Sequence, residues 1–141
     1  MAYNLQTIRG NLKTLLTAVT GIANVYDTFE TNIAGYPAII FDISNNESEM
    51  LTDSENIRKI TFTLYVLAEI TIAGRDTAKG LLDTVTQNVI TALEDKDNMS
   101  LSGSVDWIMP TVGARDEFDS TDGVVFSQKL DIVINVASSI L

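Results

Sequence analysis

The sequence predicts an α+β domain: a mainly antiparallel sheet of about four to five strands with two helices packed on one face, in the order α-β-β-β-α-β-β. Three observations lead there. Residues 4–20 and 74–98 repeat apolar side chains at helical spacing. "IRKITFTLYVLAEI" (Ile57–Ile70) alternates apolar and polar residues with the period of a strand. The segments also follow one another as helix, strands, helix, strands within 141 residues, with no internal repeat, linker or low-complexity tract. A single domain spanning residues 1–141 follows, long enough to bury roughly two thirds of the surface its unfolded chain exposes.

Asn4 is an N-cap, and Leu5, Ile8, Leu12, Leu15, Leu16 and Val19 form the stripe of a helix expected to run to about Thr20 and stop at Gly21. Gly10 inside it costs about 1 kcal/mol relative to alanine, which packing of the stripe offsets. "ANVYDTF" reads as a short strand. In "GYPAIIFDIS", Pro37 fixes its own φ and holds Tyr36 extended, so the turn releases a strand with Ile39, Phe41 and Ile43 on one face. The polar, acidic stretch Asn45–Asn56 reads as a loop of about a dozen residues, a length associated with function or mobility. Next, Ile60, Phe62, Leu64, Val66, Ala68 and Ile70 point one way while Lys59, Thr61, Thr63, Tyr65, Leu67 and Glu69 point the other, so one sheet face is buried and one is wetter.

The second helix carries Ala78, Leu81, Leu82, Val85, Val89, Ala92 and Leu93 as its stripe and stops in an Asp/Asn-rich end. "SGSVDWIMP" reads as a strand with Val105, Trp107 and Met109 on one face, Trp107 being a core or sheet-face residue. Pro110–Gly123 is a second long acidic loop, or the tip of an extended hairpin. "VVFSQKLDIVINVA" closes the sheet with Leu130, Ile132, Ile134 and Val136 facing in.

Composition removes whole classes of chemistry. No cysteine excludes disulfides, thiolate nucleophiles and every zinc or iron–sulfur site that uses sulfur, and no histidine removes the commonest general base and metal ligand. The N-terminus lacks the pattern of a signal peptide, and no apolar run reaches membrane-spanning length. Nineteen acidic residues against nine scattered basic ones give a net charge of −10, which repels nucleic acid and anionic membrane. "EDKDN" and "RDEFDSTDG" are the densest oxygen-ligand clusters, yet neither has calcium-loop spacing. Paired carboxylates for sugar hydrolysis would need a cleft and stacking aromatics, and the chain has one tryptophan and four tyrosines. There is no Gly-x-Ser-x-Gly elbow and no glycine-rich phosphate cradle. Arg75, near a helix N-terminus, is either an anion holder or an exposed arginine. Catalysis is not expected, nor is a cofactor or a resident metal. A carboxylate-dependent metal-binding domain or small enzyme, and a ligand-binding module, are the rivals from other classes. An edge-rich sheet and two acidic segments suit a protein that works by touching other proteins.

The succession of an amphipathic helix, "VYD", "GYPAIIF", an acidic "NNESEM" segment, the long strand "NIRKITFTLYVL", the helix "LLDTVTQNVITALE" and two closing strands resembles the tail terminator and tail-completion (head–tail joining) proteins of long-tailed bacteriophages. The resemblance covers most of the chain as element order and loose pattern. It implies a virion protein at the head-proximal end of the tail, assembled in the host cytoplasm. Such a protein forms a ring, typically of six copies, that caps the tail tube, stops its polymerisation and offers the head connector a docking surface. Its partners would be itself, the tail tube protein and the connector or neck protein. DNA would only pass through the lumen, without sequence-specific binding, and no membrane would be involved. Six acidic copies would let DNA slide. Glu47, Glu49, Asp116, Glu117, Asp119 and Asp122 would then line the lumen or meet neighbouring rings, with Arg58 and Lys59 pairing between subunits. A neck, head-completion or minor tail protein is the rival within the same class.

Overall fold

The first element of the computed structural model is helix α1, Leu5–Thr17, which starts where its cap directs. Asn4 sits in extended geometry and its side-chain oxygen accepts the Thr7 N–H at 3.1 Å, satisfying a backbone donor that the helix itself leaves unpaired. Ile8, Leu12 and Leu16 are fully buried. The helix ends at an Ala18 cap, slightly before the expected Thr20, and Gly21 at φ +95° turns the chain away. The structure describes residues 4–29, 33–50, 55–70, 74–101, 103, 105–120 and 123–139.

Strand β1 (Asn24–Tyr26) is followed by β2 (Ala38–Met50), β3 (Glu55–Glu69), helix α2 (Arg75–Glu94), β4 (Trp107–Ser120) and β5 (Gly123–Ser139). The five strands form one sheet in the spatial order β1-β2-β3-β5-β4. β1 runs parallel to Ala38–Ile40 of β2, and every other pairing is antiparallel. The sheet is therefore mixed, which corrects the expectation of a mainly antiparallel one. A parallel neighbour needs a crossover connection instead of a tight turn, and residues 27–37 are long enough to make it.

Both helices pack on one face. Ile8, Leu12 and Leu16 of α1 join Leu82, Val85, Val89 and Leu93 of α2 over Ile39, Phe41, Ile60, Phe62, Leu64, Leu130, Ile132 and Ile134. Phe41 and Phe62 meet edge to face at 5.9 Å between centroids at the middle of this layer. Of the inward residues read from β3 and β5, Ile60, Phe62, Leu64, Val66, Ala68, Leu130, Ile132, Ile134 and Val136 are buried. Ile70 lies past the end of β3 and is only partly so, and Thr63 and Leu67, expected on the wetter face, are buried as well. On α2, Leu81 is 41% exposed, and Thr86 is buried in addition to the predicted stripe. The helix turns its stripe slightly away from Leu81 because the sheet supports it along one line only.

The expected loop at Asn45–Asn56 is strand over Asn45–Met50, and Pro110–Gly123 follows its extended-hairpin reading. Asn45–Met50 continues β2 and pairs with Asn56–Thr61, and Pro110–Ser120 belongs to β4 and pairs with β5 from Ile132 back to Gly123. "SGSVDWIMP" also needs correction: the strand begins only at Trp107, and Ile108 is the residue that points into the core. Val105 is buried ahead of the strand, so it does not share a face with Trp107 and Met109, which are 39% and 47% exposed.

Candidate interaction surface

The face of the sheet without helices is built by alternation. Opposite the buried residues, β3 presents Lys59, Thr61, Thr63 and Tyr65, and β5 presents Lys129, Asp131, Val133 and Asn135. At one end of this open face Phe29 packs edge-on against Tyr65, with centroids 5.9 Å apart. Near the middle, the Thr63 hydroxyl donates to Asp131 Oδ1 at 3.1 Å. The other end carries no such cover.

Two β-bulges decide which acidic residues reach this face. In β2 the register shifts between Ile43 and Asn45, so Ser44 is the extra residue, and its hydroxyl donates to the Thr61 carbonyl at 3.1 Å. Before the bulge the odd-numbered residues face the helices. After it, Asn45 and Glu47 fall on the open side. In β4 the shift lies between Val112 and Arg115. Beyond it Arg115 and Glu117 turn to the helix side, where even-numbered Ile108 and Pro110 had pointed.

The second bulge is held by Gln128, which is only 5% exposed. Its amide nitrogen donates to the carbonyls of Gly113 at 2.9 Å, Lys129 at 3.1 Å and Ala114 at 3.4 Å, while its oxygen accepts the Arg115 Nε–H at 2.9 Å. Beyond the bulge β4 is tied to α2 by two ion pairs, Arg75–Glu117 and Arg115–Asp83, both at 2.7 Å. The Arg75 guanidinium, through its hydrogen bond, lowers the Glu117 carboxyl below the usual carboxylate range, and Glu117 in turn raises Arg75. Arg75 thus serves an internal carboxylate at the start of α2.

The acidic and basic residues singled out in the sequence therefore separate. Glu47 lies on the open face, accepting from Asn45 Nδ2 at 2.9 Å, directly across the strand pair from Lys59. Arg58 points to the other side and donates to Asn46 Oδ1 at 3.3 Å. Asp116 and Glu117 lie on β4 near the opposite end of the sheet, opposite Ser127 and Phe126. Glu49 and Asp119 are strand residues whose side chains lie outside the described residues, as does the whole of Asp122. The structure brings Glu47 and Lys59 together and keeps both far along the sheet from Asp116 and Glu117.

What sequence reading missed lies on β4. Register places Glu47, Lys59, Asn135 and Trp107 in one row across β2, β3, β5 and β4, with Asn45, Thr61, Val133 and Met109 in the next row. The first row borders a shallow depression of about 460 Å³ that Ile57, Ser48 and Val133 also line. Trp107, Met109 and, on the other side of the strand, Val112 at 54% are three of the chain's exposed large apolar side chains, all on a single edge strand. The only prior signal was alternation within a short, proline-interrupted run.

Both lateral edges of the sheet are open. β4 is the outermost strand on one side. On the other, β1 covers only Ala38–Ile40, so Phe41–Met50 of β2 has no strand outside it among the described residues. Among the described residues no group of three or more Asp, Glu, His or Cys side chains is arranged to hold a metal ion. No helix of the described residues is long and apolar enough to cross a membrane.

No protein-family model matches the chain, and no curated protein matches it. Among solved structures, it is similar to a chain of the virion of a native gene transfer agent particle, with a TM-score of 0.46 and 14% identity over 94% of this chain and 90% of that one.

Proposed function

We propose that the chain is a structural virion protein of a long-tailed phage: a tail terminator that forms a ring of six copies, caps the tail tube and presents a docking surface to the head connector. One observation carries this reading. Among the described residues, helices cover one face of the sheet only, and a long strand at each lateral edge has no strand outside it. Unpaired edges on an isolated domain invite association, and two different edges on opposite sides give head-to-tail contacts, the kind that forms a ring when the rotation between copies closes. The element order shared with tail-completion proteins supports the same reading, as does an excess of acidic residues suited to a lumen through which DNA slides. The role is one of contact and not of catalysis, without cofactor, and the partners are further copies, the tube protein and the connector.

The test is tail length, measured by electron microscopy, in particles made after deletion of the gene from its parent genome. Overlong, headless tails are the expected result. Tails of normal length would move the chain to a neck or head-completion role. A parent genome without phage genes around this one would end the reading altogether.

A further inference from the structure

We infer that copies of this chain join by antiparallel pairing of the β4 edge of one copy with the β2 edge of the next, Trp107–Val112 lying along Phe41–Glu47. The inference deepens the ring reading above and rests on it for closure of the assembly. Strand direction is the first argument. Each successive pairing from β2 through β3 and β5 to β4 is antiparallel, so β2 and β4 run in opposite senses. A second copy set beside the first therefore meets it with the correct polarity, and the ladder continues unbroken across the contact.

Level is the second argument. Register puts Met109 in the row of Asn45 and Trp107 in the row of Glu47, so the free parts of both edges lie at the same end of the sheet. Arg115 and Asp116 of β4 are level with Ile39 and Ala38, in the part of β2 already covered by β1, and Glu117 lies beyond it. Chemistry is the third. Pairing β2 with β4 sets Glu47 beside Trp107 and Asn45 beside Met109, whose apolar surface it covers. Pairing β2 with a second β2 would oppose carboxylates directly, which destabilises a strand pair. Pairing β4 with a second β4 would bring the donor-less Pro110 to the contact from both sides.

The chain has no cysteine, so introduced thiols are unique reporters. Asn45→Cys and Met109→Cys are made singly and together, checked for an unchanged melting temperature, concentrated, and treated with a short thiol–thiol cross-linker. The double variant should give a ladder of multimers on a denaturing gel while each single variant stays monomeric. A dimer from Met109→Cys alone would establish β4–β4 pairing, a dimer from Asn45→Cys alone β2–β2 pairing, and no ladder an unused edge; each overturns the inference. In sedimentation, Met109→Asp without introduced cysteines should be smaller than the parent chain at equal concentration, and equal sizes would also overturn it. A ladder with normal tails on gene deletion would keep the pairing and remove the terminator role. Overlong tails without a ladder would do the reverse.

Discussion

Replacing Gln128 by glutamate tests how the β4 bulge is held. In the native chain one buried amide nitrogen serves three backbone carbonyls, at 2.9, 3.1 and 3.4 Å, and the amide oxygen accepts from Arg115. Gln128→Glu keeps the shape and the Arg115 contact but turns an oxygen towards those three carbonyls. Each hydrogen bond contributes about 0.5–1.5 kcal/mol net, and the weakest of the three carries least, so the lost bonds alone amount to roughly 2–3 kcal/mol. For a domain of this length that lowers the melting temperature by roughly 6–12 °C. Because the introduced carboxyl is buried among carbonyls, its protonated form fits better than its ionised form, and its folded pKa is raised. A raised folded pKa means the native state binds the extra proton, so the deficit relative to the parent chain shrinks as pH falls from neutral into the carboxylate range. Urea unfolding of both proteins across that range is the assay. A deficit that stays constant or grows on acidification would refute this account of the bulge, as would a variant as stable as the parent at neutral pH.

Further outcomes follow from other parts of the fold. Phe62→Ala removes a fully buried ring from the edge-to-face pair with Phe41 and should cost about 3–5 kcal/mol by urea unfolding. Gly21→Ala places a Cβ 3.3 Å from Val85 Cγ2 at φ +95°, so it should destabilise by about 1–2 kcal/mol in the same assay. Leu81→Gln should stay within about 0.5 kcal/mol of the parent chain, because the side chain is largely in solvent although it belongs to the apolar stripe. Glu117 has a lowered folded pKa, so its tie to Arg75 is present above the ordinary carboxylate pKa and is lost as pH falls through the folded value. Protection factors of the amides at the start of α2, from NMR exchange corrected for its intrinsic slowing in acid, should fall through that window in the parent chain and show no such step in Glu117→Gln.

By itself, the sequence determined the parts of this protein that depend on local periodicity. Asn4 starts α1 because a short polar side chain can reach a free N–H three residues on, and that interaction needs no distant partner. The inward faces of β3 and β5 were legible for the same reason, since alternation over many residues has only one burial that satisfies it. Tertiary structure decided what polar stretches do. Asn45–Met50 and the acidic half of β4 carry the composition of loops, yet they are strands because neighbouring strands supply their backbone partners from residues far along the chain. It also decided which side each acid faces. One extra residue at Ser44 and the bulge before Arg115 reverse the alternation, sending Glu47 to the open face and Glu117 to α2. A bulge is set by pairing and by contacts such as those of Gln128, and neither leaves a periodic trace in sequence. The exposed Trp107–Met109 edge has the same origin: a strand becomes an edge only through the order in which the others assemble.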